Sequence, residues 1–171
     1  MHLKVRDLEL SDIPLLLDYW YNNTDDHLVG MGVDLKKMPP RKAFENMLEI
    51  QLSIPIIMRQ SYVLIWMLDE KPVGHSNINQ IEYGHHANLH LHIWEKELRK
   101  SGLGRQFVEM SLPKFFKAMD LEYIICEPYA HNPAPNKTLE KLGFTFIKKY
   151  TTIPGSINFE QEVNQWRKGK G

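Results

Sequence analysis

The junction between residues 87 and 110 constrains the fold more than any other stretch. Ala87 to Trp94 alternates, with Ala87, Leu89, Leu91 and Ile93 on one face and Asn88, His90, His92 and Trp94 on the other. That pattern predicts a strand with one buried face. Leu103, Phe107 and Met110 then recur at helical spacing. Between them runs Glu97-Leu98-Arg99-Lys100-Ser101-Gly102-Leu103-Gly104-Arg105, with two glycines and basic residues on both sides. Strand, glycine loop and helix in succession point to an α/β chain. Glycine lets a backbone approach a ligand closely, and N–H groups at a helix start favour anions. The loop is a candidate cradle for a phosphate.

The flanking sequence predicts a mixed sheet flanked by helices. Leu3 to Leu10 reads as a strand. Ser11 is placed to cap a helix carrying Ile13, Leu16, Leu17 and Trp20. A second helix starts near Pro40 and carries Phe44, Met47, Leu48 and Leu52. Residues 22–40 between them read as a loop whose Asp25, Asp26 and Asp34 suit a cationic ligand or plain solvation. Tyr62 to Leu68 and Val73 to Ile81 form a hairpin around Asp69-Glu70-Lys71-Pro72, and Tyr83 to His86 is a further turn. Pro113 predicts a kink or an early end of the helix after the glycine loop. Leu121 to Cys126 is nearly all apolar, as in a strand buried on both faces. Asn132 to Phe144 is a helix marked at both ends, by Asn132 with Pro133 and by Gly143. Thr145 to Ile153 and Ile157 to Trp166 close the chain as a hairpin.

The 171 residues suit one domain, 1–171, with enough apolar residues (43%) for a full core. Lys+Arg equals Asp+Glu, so no basic excess points to nucleic acid. Cys126 is the sole cysteine, which excludes an internal disulfide and suits a reducing compartment. The first residues lack the apolar centre of a signal peptide, and Tyr62 to Leu68 is too short to span a bilayer. The expectation is a soluble cytoplasmic protein, monomer or homodimer, with neither a membrane nor a nucleic-acid partner.

A dinucleotide is one rival for the loop, since Glu127 lies near the end of the next strand. Phe107 stands at the third glycine position, however, and a polar strand face precedes a long loop, unlike a Rossmann turn. A P-loop is excluded because no Gly-Lys-Ser/Thr ends the segment. Coenzyme A is the other rival. Arg99-Lys100-Ser101-Gly102-Leu103-Gly104 resembles the R/Q-x-x-G-x-G/A loop of the GNAT N-acetyltransferase superfamily, and the elements before and after it follow that family's order over nearly the whole chain. His90-Leu91-His92-Ile93 and Glu127-Pro128-Tyr129-Ala130-His131-Asn132 are similar to segments of the siderophore lysine acyltransferase and aminoglycoside 6′-type branches. Tyr129 stands where the siderophore branch has an aspartate, whereas Glu127 matches the acid of the aminoglycoside-like branch.

The resemblance implies a GNAT (acyl-CoA N-acyltransferase) fold and acetyl transfer from acetyl-CoA to a primary amine. The acceptor class is an aminoglycoside-, polyamine- or lysine-like small molecule. A protein N-terminus or lysine of the ribosomal-protein type is the alternative, as is a non-catalytic acyl-CoA-binding module. It further implies that the His92–Ile93–Trp94 backbone positions the thioester. Arg99, Lys100, Ser101, Gly102, Leu103, Gly104 and Arg105 would hold the phosphates, with Asn132 and Asn136 facing the cofactor. Glu127 is the candidate to bind or deprotonate the amine, or else a loop carboxylate capping an N–H. His90 is a second candidate base, or else a packed sheet histidine. The family tyrosine that protonates the thiolate falls at Leu139, which leaves water or Tyr129 for that task. No metal is expected: His85 and His86 lie in a turn, His90 and His92 on a strand face, with no cysteine or patterned acid nearby.

Overall fold

A computed structural model describes residues 1–171. Seven strands form one sheet: β1 (Leu3–Asp7), β2 (Ser61–Leu68), β3 (Lys71–Glu82), β4 (His86–Ile93), β5 (Tyr123–Cys126), β6 (Thr145–Thr152) and β7 (Gln161–Gly169). Their order is β1-β2-β3-β4-β5-β7-β6, antiparallel except where β4 meets β5. Helices α1 (Ile13–Tyr21), α2 (Asp25–Gly30) and α3 (Arg41–Ser53) precede β2. Helix α4 (Leu103–Met119) joins β4 to β5, and α5 (Pro133–Lys141) joins β5 to β6.

The chain buries both faces of the sheet. Leu64, Trp66, Ile78, Ala87, Leu89 and Ile124 face α4 in the larger core. Trp66 stacks on Phe107 at 5.1 Å between ring centres, nearly parallel. Its indole N–H is shared by the hydroxyls of Ser76 and Ser111, so this polar intrusion into the core is satisfied. On the other face Val63, Ile65 and Met67 pack against Leu16, Leu17 and Leu48 of α1 and α3.

Several elements differ from the sequence reading. Ser11 does not cap α1. A 3-10 turn at Leu10–Asp12 comes first, and Asp12 accepts the Glu9 N–H at 2.8 Å. Asp12 is buried because Arg6 grips both its oxygens at 2.7 and 2.9 Å. The loop 22–40 contains α2, capped by Thr24, whose hydroxyl accepts the His27 N–H. Met47 of α3 is exposed, and Leu48 alone of that helix is fully buried. Pro113 neither ends nor breaks α4. The carbonyl it leaves without a partner, on Glu109, lies on the exposed side of the helix, where water serves it. Strand β5 is only half covered on its second face, where Arg167 lies 3.4 Å over the Tyr123 ring.

The feature that positions the site is the short contact between β4 and β5. They pair only over His86–Asn88 and Tyr123–Ile125. Beyond Asn88 the two strands part, and the remaining five residues of β4 have no partner on that side.

Candidate active site

The split between β4 and β5 opens a cleft lined by Leu89, His90, Leu91, His92, Cys126 and Glu127, with Met31 and Gln161 above it. Strand alternation decides which backbone groups face it. Trp94 donates its N–H to Val73 of β3 at 2.9 Å. By period two, the His92 N–H also points to β3, and those of Leu91 and Ile93 point into the split. Of the His92–Ile93–Trp94 backbone expected to receive the thioester, Ile93 alone offers an N–H there. Leu91 is the donor that the sequence reading missed, although the alternation of residues 87–94 carries the signal. The Leu89 carbonyl is already taken by the Cys126 thiol at 3.1 Å. Burial pushes that thiol up to about 12, which makes it inert.

The glycine loop lies at the mouth of the split. Lys100 and Gly102 both have positive φ, 66° and 85°. Gly102 caps α4 in the left-handed conformation that glycine adopts without strain. A Cβ on Gly104 would stand 3.3 Å from Ile93 Cδ1, so glycine there lets the helix start lie against the end of β4. The first N–H groups of α4 have no helical acceptor; that of Leu103 points to the Ser101 hydroxyl at 3.4 Å. Ser101 braces the loop by donating to the Leu98 carbonyl at 2.6 Å. Lys100 and Arg105 are exposed beside it. The Arg99 side chain is engaged by the protein itself. Its guanidinium donates to the carbonyls of Ile93 (3.1 Å) and Trp94 (3.2 Å) and to His27 (3.1 Å), tying the loop to the end of β4.

The face of β3 and β4 under the cleft is polar. His75 lies opposite His92, Asn77 opposite His90, and Asn79 opposite Asn88. His90 contacts the Asn79 side-chain oxygen at 2.9 Å, so its Nε2 carries the proton. Burial pushes the His90 pKa down to about 4, which makes it a neutral floor residue and a weak base. The other tautomers follow from Arg99, which can only donate. His27 Nδ1 therefore accepts, and its Nε2–H meets the Tyr19 hydroxyl at 3.2 Å. Tyr19 in turn reaches His92 Nδ1 at 3.0 Å, which leaves the proton of His92 on Nε2. Trp94 donates to His75 Nδ1 at 2.8 Å, and His75 stacks on His92. Burial lowers His75 to about 3 and His92 well below its ordinary value. His27 falls to about 4 through burial and then the Arg99 charge.

Glu127, just past β5, is the one charged side chain in the cleft lining. It does not cap an N–H. The Tyr150 hydroxyl and the Gln165 amide (3.0 Å) both donate to its Oε2, which fixes the carboxylate and leaves Oε1 unshared. Burial and then the Glu127 bond raise the Tyr150 pKa to about 12. Tyr129 lines the cleft, with its ring edge-on to Phe159 and His131. Asn132 also lines it; its side chain makes no capping bond to α5. Asn136 does not face a cofactor. Its amide donates to the carbonyls of Asn132 and Tyr129 and accepts from Asn164 and Trp166, so its hydrogen-bonding atoms are all engaged inside the fold. Leu139 is fully buried in the larger core.

The cleft thus joins a parted sheet, a helix N-terminus and one fixed carboxylate at the parting. A family model described as the acetyltransferase (GNAT) domain matches residues 2–145. The chain belongs to the GNAT acetyltransferases and is an acyltransferase. Solved structures share the fold. A ribosomal L7/L12 alpha-N-protein acetyltransferase in complex with coenzyme A superposes with a TM-score of 0.78 at 13% identity, covering 98% of this chain and 93% of that one. Spermidine N-acetyltransferase from Vibrio cholerae in complex with CoA and spermine gives 0.78 at 16% identity, covering 98% and 95%. Ribosomal-protein-S5-alanine acetyltransferase from Vibrio fischeri gives 0.79 at 19%, covering 99% and 93%. No protein of curated function matches the chain in sequence. No helix is long and apolar enough to cross a membrane.

Proposed function

We propose that the protein transfers the acetyl group of acetyl-CoA to the primary amine of a small molecule bearing one ammonium at the reacting end. The observation that carries this reading is the split itself. Two strand N–H groups without protein partners, on Leu91 and Ile93, lie between the N-terminus of α4 and Glu127. The residues fit the donor: the helix start and the Gly102–Gly104 loop suit a pyrophosphate, and the open edge of β4 suits an amide-bearing chain. The acceptor nitrogen, once neutral, attacks the thioester carbonyl; a C–N bond forms and the C–S bond breaks. Period-two spacing sets the Leu91 and Ile93 N–H groups about 6.6 Å apart, so one of them holds the carbonyl oxygen and the other serves an amide oxygen of the pantetheine chain. Glu127 Oε1 takes the ammonium proton, directly or through water. The second proton that the nitrogen sheds as the amide forms passes to the leaving thiolate, through water or Tyr129.

The acceptor class follows from charge and enclosure. Glu127 is the sole carboxylate of the lining, and the other polar groups are neutral imidazoles and amides. That pattern suits a single ammonium better than an extended polycation. The cleft is roofed by Pro154, Asn158 and Gln161, which leaves a modest space. Calorimetric binding of acetyl-CoA, with CoA, NAD and ATP as controls, tests the donor on wild type and on Gly102→Val/Gly104→Val. Acetyl-CoA binding that the glycine changes abolish, in a folded chain, supports the reading. Binding of NAD or ATP instead overturns it. A thiol-release assay then compares lysine-like monoamines, aminoglycosides, spermidine and peptides with free N-termini; turnover of peptides alone overturns the small-molecule assignment.

A further inference from the structure

The turn between β3 and β4 gathers side chains that acetyl transfer does not use. The pairing of β3 with β4 shifts register after Asn79, where Gln80 takes a positive φ of 46°. The bulge brings Glu82 opposite His86, so both side chains leave the sheet on one side. Gly84 turns the chain, and His85 joins them. The sequence reading set these histidines aside for want of an acid; the bulge supplies Glu82, and the start of β5 supplies Glu122.

Three atoms converge. His85 Nδ1 and His86 Nδ1 lie 2.8 Å apart, and Glu82 Oε2 lies 3.4 Å from the first and 3.5 Å from the second. The point equidistant from all three is about 1.9 Å from each, close to the ~2.0–2.2 Å of zinc–imidazole and zinc–carboxylate bonds. His85 Nε2 lies 3.8 Å from Glu122 Oε2, so a second carboxylate stands behind the cluster, beyond direct hydrogen-bond reach. The His86 ring is held parallel to Tyr123 at 5.3 Å, and Tyr123 carries Arg167 on a ring face. The backbone of the turn is also fixed: the His85 carbonyl accepts the N–H groups of Glu122 (2.7 Å) and Tyr123 (3.2 Å).

We propose that Glu82, His85 and His86 form a zinc site with three protein ligands and a fourth position open to water. Imidazole and carboxylate donors suit Zn²⁺ over Mg²⁺ or Ca²⁺, which take oxygen shells. Binding requires a lone pair on both facing Nδ1 atoms, which each ring offers as its Nε2–H tautomer. The site lies at the closed end of the β4–β5 split. A metal there ties the β3–β4 turn, whose backbone already holds β5, and acts as a structural clamp remote from the glycine loop.

The test is titration of Zn²⁺ into the full chain, followed by calorimetry and by thermal melting. Wild type is expected to bind one equivalent and to melt at a higher temperature with Zn²⁺. Glu82→Gln, at an exposed position, should weaken binding by at least tenfold, and His85→Gln/His86→Gln should abolish it. Glu122→Gln, at a position beyond hydrogen-bond reach of His85, should weaken binding less than Glu82→Gln does. Co²⁺ in place of Zn²⁺ should show the visible bands of a four-coordinate site. Wild type that binds Zn²⁺ no more tightly than the double variant overturns the site, as does Glu82→Gln with unchanged affinity.

Discussion

The histidines under the cleft make the fold sensitive to mild acid. His75, His90 and His92 share one face of β3 and β4 and are held neutral by burial. Their folded pKa values lie below the ordinary 6.5: about 3 for His75, about 4 for His90, and well lowered for His92. The unfolded chain therefore takes up protons that the folded chain refuses as pH drops below about 6.5. Stability is whole above that value and falls as pH drops toward 4, where His90 begins to charge in the fold as well. Between pH 7.5 and 5.5 each fully protected imidazole costs about 1.4 kcal/mol. His27 is held neutral in the same way, so the four together would cost about 5 kcal/mol, and the partial exposure of His27, His90 and His92 lowers the expectation to about 2–5 kcal/mol. That is a large share of the total stability of a typical domain. Urea unfolding followed by circular dichroism at the two pH values measures it directly. The window lies above the ordinary carboxylate range, so the loss reports histidines. His90→Gln keeps a donor for Asn79 and removes one of four titrating groups, and should cut the pH dependence by about a quarter. Equal stability at pH 7.5 and 5.5 would refute the neutral-floor reasoning.

Three further outcomes are expected. Glu127→Gln keeps an acceptor for Tyr150 and Gln165 and removes only the base, so kcat should fall about 10²–10⁴-fold with acetyl-CoA binding unchanged; kcat within threefold of wild type in the thiol-release assay removes Glu127 from the reaction. Phe107→Ala empties the space against Trp66 and should cost about 3–5 kcal/mol in denaturant unfolding, where less than 1 kcal/mol would mean the stack is not a core contact. Asp12→Ala strands the Arg6 guanidinium and the Glu9 N–H and should cost about 3 kcal/mol, the low end for a broken buried pair because Arg6 is partly exposed; a loss within 0.5 kcal/mol contradicts that account.

The sequence was most legible where local chemistry and tertiary structure agree. The alternation of residues 87–94 predicted β4 and its faces, and Asn132, Pro133 and Gly143 bracketed α5 to within a residue or two. Helix α2 escaped notice because six residues carry too little periodicity to stand out from a loop. Pro113 was undecidable in one dimension, since its cost depends on whether the freed carbonyl meets water or protein. In the site, Glu127 and Tyr129 reach the cleft as their place after β5 suggested. Arg99 and Asn136 take hydrogen-bond partners distant in sequence that no local pattern signals: His27 in one case, Asn164 and Trp166 in the other. Tyr150, Gln165 and Tyr19 were missed for the same reason. Each becomes relevant only through the residue it touches.

The roof of the cleft is stitched from distant parts of the chain. One carbonyl, that of Gly32, accepts three hydrogen bonds: from the Phe159 N–H at 3.3 Å, and from the Asn158 and Gln161 amides at 2.9 Å each. Asp34 donates to the Ile157 carbonyl at 2.8 Å alongside. As the chain leaves the ribosome, β1 to β4 and α4 can pair and pack before residues 157–161 have emerged, but the cleft has no ceiling until they arrive. Closing so long a loop is entropically slow and brings its reward late. A nascent or nicked chain can therefore hold most of its larger core and still present an open trough, so that catalytic competence is the last property the molecule acquires and the first a cut between β6 and β7 would take away.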